Sequence, residues 1–162
     1  MRRFCLFGLA LGMVIGLVGC NTMSRQPRIR KAFIEPAELT PGDTATIVVE
    51  TTDQYGIIDR VEGVVVEDRR DTFRLKDDGV PPDAKAGDGV WTQEGEVPFT
   101  APPGEFTLEF TALRDDGNPV IVLDADRHSV PLQASFKMMV RHPGDPNAPG
   151  ENASQPDAAP KE

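Results

Sequence analysis

Phe106-Thr107-Leu108-Glu109-Phe110-Thr111-Ala112-Leu113 decides the fold. Apolar and polar residues alternate, and Phe106, Leu108, Phe110 and Ala112 fall on one face, the period of a strand with one side buried. Thr44 to Thr51 is rich in Val, Ile and Thr, which suit a pleated surface. Further strands are expected at Ile29–Ile34, Ile57–Glu67, Thr72–Lys76, Val90–Val97, Val120–Leu123 and Ser129–Val140. Turn signals separate them: Pro41-Gly42-Asp43, Asp53-Gln54-Tyr55-Gly56, Asp77-Asp78-Gly79, Pro102-Pro103-Gly104 and Asp115-Asp116-Gly117-Asn118. No segment sustains a period of 3.6. Seven to eight short strands with turns at this spacing predict an all-β, antiparallel sandwich over residues 29–140. Trp91 suits the space between two sheets, and Glu67-Asp68-Arg69-Arg70-Asp71 reads as a hairpin tip with local ion pairs.

Composition changes on both sides of that block. From Arg141 onward, Pro143, Pro146, Pro149, Pro156 and Pro160 sit among Gly, Asn, Asp, Ser and Ala, without an aromatic or branched aliphatic residue. Such a segment buries too little surface to offset its ordering entropy, so residues 141–162 are expected to form a disordered tail. At the other end, Met1-Arg2-Arg3 precedes an uncharged run from Phe4 to Val18. A basic start, a short apolar stretch and small residues at its end make an export signal. A spanning helix wants about 20 apolar residues, and Asn21, Thr22 and Ser24 come too early for one.

Leu17-Val18-Gly19-Cys20 resembles the bacterial lipobox. The resemblance implies cleavage before Cys20, acylation of that cysteine, a lipidated tether over residues 20–28, and attachment to a membrane without a transmembrane helix. Asn21 is not the aspartate that commonly retains lipoproteins at the inner membrane, so outer-membrane placement is expected, facing the periplasm or the cell surface. Loss of residues 1–19 would leave 143 of 162 residues, with 15 basic against 26 acidic side chains and a net charge of −11. That balance argues against nucleic-acid binding. Cys5 would leave with the signal and Cys20 would carry lipid, leaving no disulfide and no thiol nucleophile.

Asp77-Asp78-Gly79, Asp83-Ala84-Lys85-Ala86-Gly87-Asp88-Gly89-Val90-Trp91-Thr92 and Ala101-Pro102-Pro103-Gly104-Glu105-Phe106-Thr107-Leu108 together resemble bacterial Ig-like domains of cell-envelope proteins. The likeness covers residues 77–113 and implies a spacer, binding or accessory module. Asp77, Asp78, Asp83 and Asp88 admit two readings. As hard oxygen donors close in sequence they are candidate calcium ligands, though without the alternating EF-hand pattern; as turn residues they bond loop amides. No motif requires a cofactor, so calcium is the one candidate.

His128, in Asp126-Arg127-His128, and His142 have no supporting nucleophile motif, and no zinc, phosphate-loop or dinucleotide pattern occurs. The resulting expectation is a non-enzymatic, membrane-anchored module that binds or positions an envelope protein or polymer. The alternatives are calcium-dependent or carbohydrate binding, and a hydrolase built on scattered acids.

Overall fold

In a computed structural model that describes residues 25–142, ten strands follow one another and no helix crosses between them. They are β1 (Arg28–Glu35), β2 (Glu38–Leu39), β3 (Thr44–Thr52), β4 (Arg60–Val65), β5 (Asp68–Leu75), β6 (Val90–Glu96), β7 (Gly104–Leu113), β8 (Ile121–Leu123), β9 (Ser129–Pro131) and β10 (Gln133–Val140). The expected signal peptide, lipidated cysteine and proline-rich tail fall outside the described residues, apart from the last of the tether and the first of the tail.

Eight of these strands form a sandwich. One sheet has the order β1-β3-β6 and the other β2-β10-β7-β4-β5, while β8 and β9 make a separate hairpin. Every pairing is antiparallel except β2 with β10. In the immunoglobulin convention β1, β3 and β6 take the places of A, B and E, and β4, β7 and β10 those of C, F and G. β5 is the extra edge strand on the C side that variable-type domains carry. The domain is therefore an Ig-like β-sandwich.

The alternation in β7 sets the core. Leu108, Phe110 and Ala112 are at most 2% exposed, and the register carries their face across the sheet. Phe110 lies opposite Ala134 on β10 and Gly63 on β4, and Gly63 lies opposite Phe73 on β5. A Cβ on Gly63 would collide with the Phe73 ring, so glycine makes the room that ring occupies. Phe73 then meets Phe110 edge-on, 6.3 Å between centroids and 79° between planes, a favourable aromatic arrangement. From the facing sheet Val49, fully buried, and the half-buried Trp91 close onto the same cluster.

Three sequence expectations are refined. β2 escapes strand patterning because it has two residues, yet Leu39 is fully buried and anchors one end of the core. Ser129–Val140 divides at Leu132, whose amide bonds Val120 (2.7 Å) and whose carbonyl takes the Ala112 amide (3.0 Å). Pro131 beside it has no amide with which to continue a ladder. The β4–β5 hairpin tip is Val66-Glu67 alone: residues 68–71 already belong to β5, where Arg70 pairs with Asp68 at 2.9 Å.

The strands run between two poles. Arg28, Thr52, Arg60, Leu75, Val90 and Leu113 end or begin at the pole where the chain enters, and Glu35, Thr44, Val65, Glu96, Gly104 and Val140 at the far pole. Gly63→Ala is predicted to destabilise the fold by about 1–3 kcal/mol through overpacking. Denaturant unfolding checks this, and Phe73→Leu in the same chain should restore part of the loss; equal instability with and without Phe73 would remove the packing account.

Candidate functional site

Three of the four candidate aspartates converge. Oxygens of Asp77, Asp83 and Asp88 lie within 4.8 Å of one another at the entry pole, whereas Asp78 is not part of the group. The loop that holds them is set by its ends. Lys76 exchanges two backbone hydrogen bonds with Thr92, both 2.8 Å, and Thr51 donates its amide to the Gly89 carbonyl at 2.8 Å. Gly89 has φ +83° and sits against the Thr51 carbonyl, so both conformation and close approach require glycine there.

Within the loop the carboxylates are occupied by backbone donors. Asp77 accepts the amides of Gly87 (2.7 Å), Asp88 (3.2 Å) and Gly89 (3.0 Å). Asp83, only 3% exposed, accepts those of Gly79 (2.5 Å) and Lys85 (3.1 Å). Asp78 and Asp88 each take the amide two residues on, from Val80 and Val90. The Gly79 amide, helped by those of Lys85, Asp78 and Ala84, holds the Asp83 carboxyl below the usual carboxylate range, against the opposing effect of its burial. Amide N–H dipoles aimed at a carboxylate stabilise its charge as a cation would. The geometry thus suits turn formation by these acids, with three of them also close enough to share an ion.

Trp91 faces inward in this setting. It is half-buried, packs on the Val49–Phe110 cluster, and donates Nε1–H to Thr51 Oγ1 at 3.1 Å. Its role is a core anchor rather than a platform for a sugar.

A second acidic group, Asp124, Asp126 and His128, occupies the β8–β9 turn. Asp124 Oδ1 accepts the amides of Asp126 (2.9 Å) and His128 (2.8 Å), and His128 Nδ1 stands 3.5 Å from Asp124 Oδ2 with the ring largely exposed. His142 Nε2 lies 2.8 Å from the Ala101 carbonyl oxygen. Among the described residues neither histidine is hydrogen-bonded to a hydroxyl.

One feature has no counterpart in the sequence motifs. Between the sheets at the far pole is a cavity of about 430 Å³, lined mainly by apolar side chains including Ile34, Ile47, Phe73, Phe106, Leu108 and Met138. Its cause is the unequal width of the sheets: β5 extends the larger sheet beyond β6, the edge of the smaller. The Lys76–Thr92 bridge joins these two edges near the entry pole, and beyond it Gln93 to Val97 line the cavity across from Asp68 and Phe73. Gly95 inside β6 is the sequence signal that points there, since glycine in a strand often marks a close approach.

Asp43, Glu67, Asp68 and Asp116 share the lowered carboxyl of Asp83; amides of Thr40, Thr107 and Asn118, and the Arg70 side chain at Asp68, are the leading causes. Folded-state values below the unfolded ones give stability that is complete above the ordinary carboxylate range and lost as pH falls through the folded values. Urea unfolding from neutral to strongly acid pH should therefore show an acid limb, and Asp83→Asn should lower neutral stability while flattening that limb. For calcium, the expectation from the amide-saturated loop is an unchanged melting temperature. Saturation at a hundred times the dissociation constant would add about 2.7 kcal/mol, so a chelator-reversible rise would make Asp77, Asp83 and Asp88 ligands.

No family model and no curated protein matches the chain. Distant likenesses among solved structures include two. One is Pseudomonas fluorescens alkylpurine DNA glycosylase AlkC bound to DNA containing an abasic site analog, at 13% identity and TM-score 0.43; it covers 72% of this chain, which spans 30% of the glycosylase. The other is a Niemann-Pick type C2 protein from Japanese carpenter ant, at 12% identity and TM-score 0.43, over 72% of this chain and 93% of that one.

Proposed function

We propose that this is an envelope lipoprotein, held by lipid on Cys20, whose Ig-like sandwich binds or positions another envelope component without catalysing a reaction. The observation that carries this reading is the opposition of the poles. The chain enters at one pole, where Gln26 accepts the Leu123 amide at 2.6 Å and Arg28 pairs with Thr52. At the other, Phe99 is 75% exposed on the β6–β7 connection, between Pro98 and Thr100 at the cavity lining.

From Cys20 to Pro27 is eight residues, which reach at most about 28 Å when extended. An anchor there keeps the entry pole near a membrane and turns the far pole toward the compartment. The expected compartment is the periplasm or the cell surface, with the outer membrane as support. A large exposed aromatic beside prolines is the type of surface that partners cover.

Strand addition at an edge is a weaker route to a partner. β5 carries Asp68, Arg69, Arg70 and Arg74 along its edge, and β1 carries Arg28, Arg30 and Lys31. Charges of this kind block edge-to-edge pairing. The non-enzymatic reading draws support from the histidines, one exposed beside Asp124 and one held at a backbone carbonyl.

Two measurements test the proposal. Cells fed labelled palmitate should label the chain, and Cys20→Ala should abolish the label. A photo-crosslinking residue in place of Phe99 should give a discrete adduct in intact cells, while the same residue in place of Tyr55, exposed at the entry pole, should not. Label retained by Cys20→Ala removes the anchor from the proposal, and equal adducts at both positions remove the far pole as the partner surface.

A further inference from the structure

We propose that the inter-sheet cavity at the far pole is a binding site for a single aliphatic chain. The inference stands on the cavity alone and does not depend on lipid at Cys20.

Size comes first. A water-sized unit takes about 30 Å³, close to a methylene group, so about 430 Å³ matches a chain of roughly ten to fourteen carbons. Ligand cavities in general start at about 300 Å³ and are walled by apolar side chains with a few polar groups at fixed places. Here the wall is Ile34 and Ile47 from one sheet and Phe73, Phe106, Leu108 and Met138 from the other. Flexible methionine beside aromatic rings makes an adaptable surface.

Shape follows from β6. Gly95 lies opposite Ala45, which is buried, so a side chain at 95 would share that inner face. A Cβ built there meets nothing within 4 Å, and Gly95 itself lines the cavity. The backbone of Gly95 therefore forms part of the wall, and any larger residue would project into the space. Its φ does not lie in the left-handed region, so conformation alone does not require glycine.

Charge does not select the head. Asp68 lines the cavity but is paired with Arg70 at 2.9 Å. Glu94 and Glu96 alternate with Gly95 along β6, so their side chains take the opposite face of the strand. The cavity therefore discriminates by the length and shape of the chain, and the head stays at the mouth.

The test uses the full chain mixed with phosphatidylcholine vesicles that carry a diazirine-bearing dodecanol. After irradiation, peptide mapping should place label on Phe73, Phe106 or Met138. Gly95→Leu should cut that label severalfold while the melting temperature holds or rises, because leucine replaces a strand glycine. Dodecyltrimethylammonium and dodecanoate should displace the probe about equally, and butyltrimethylammonium should do so severalfold less well. Label unaffected by Gly95→Leu overturns the cavity as the site, and equal displacement by the short and the long chain overturns the assignment of an aliphatic ligand.

Discussion

Two backbone hydrogen bonds between Lys76 and Thr92 join the edge of one sheet to the edge of the other, and the molecule is organised about that join. On the entry side the chain passes directly from Lys76 into the aspartate loop and returns through Gly89 into β6, so the loop is clamped at both ends. On the far side, among the described residues, no backbone hydrogen bond repeats the join. There the five-stranded sheet, extended by β5, faces a three-stranded sheet that stops at β6, and Phe73 on β5 looks across the cavity. The same local pairing that closes one end of the sandwich thus fixes where the other end begins to open. A fourth strand beside β6, as constant-type immunoglobulin domains have, would have covered this space.

The sandwich was legible because its main signals are local. Phe106 to Ala112 alternate over a full strand, and register then forces Ala134, Phe136, Val61 and Phe73 onto the same inner face. The turn residues are equally local: Asp43 caps its own turn by accepting the Thr40 amide and hydroxyl, and Asp53 collects the amides of Tyr55 and Ile58. β2 was not legible, because two residues hold no period and its partner Val140 lies about a hundred residues away. Leu132 likewise gives no sign of leaving its strand until the Val120 and Ala112 contacts are known.

The candidate site divides in the same way. That Asp77, Asp83 and Asp88 come together follows from their spacing around Gly79 and Gly87. What their carboxylates do depends on where loop amides point, which is a property of the folded loop. The Asp124–His128 turn also groups acids with a histidine, and there too the short carboxylate contacts are to amides of the same turn. The cavity is the least legible feature. It arises from the relative widths of two sheets, and its one local sign is a glycine in β6.

The length of β1 has a consequence for how the two poles influence each other. Its eight residues are separated by seven rises of about 3.4 Å, or about 24 Å from pole to pole. The Debye length at physiological ionic strength is about 8 Å, so about three screening lengths separate the two ends of the strand. Glu94 does not lie at that distance from the aspartate loop, because it lines a small pocket together with Asp78 across the Lys76–Thr92 join. A change of charge in the loop is therefore screened from the far ends of the strands but is felt at Glu94.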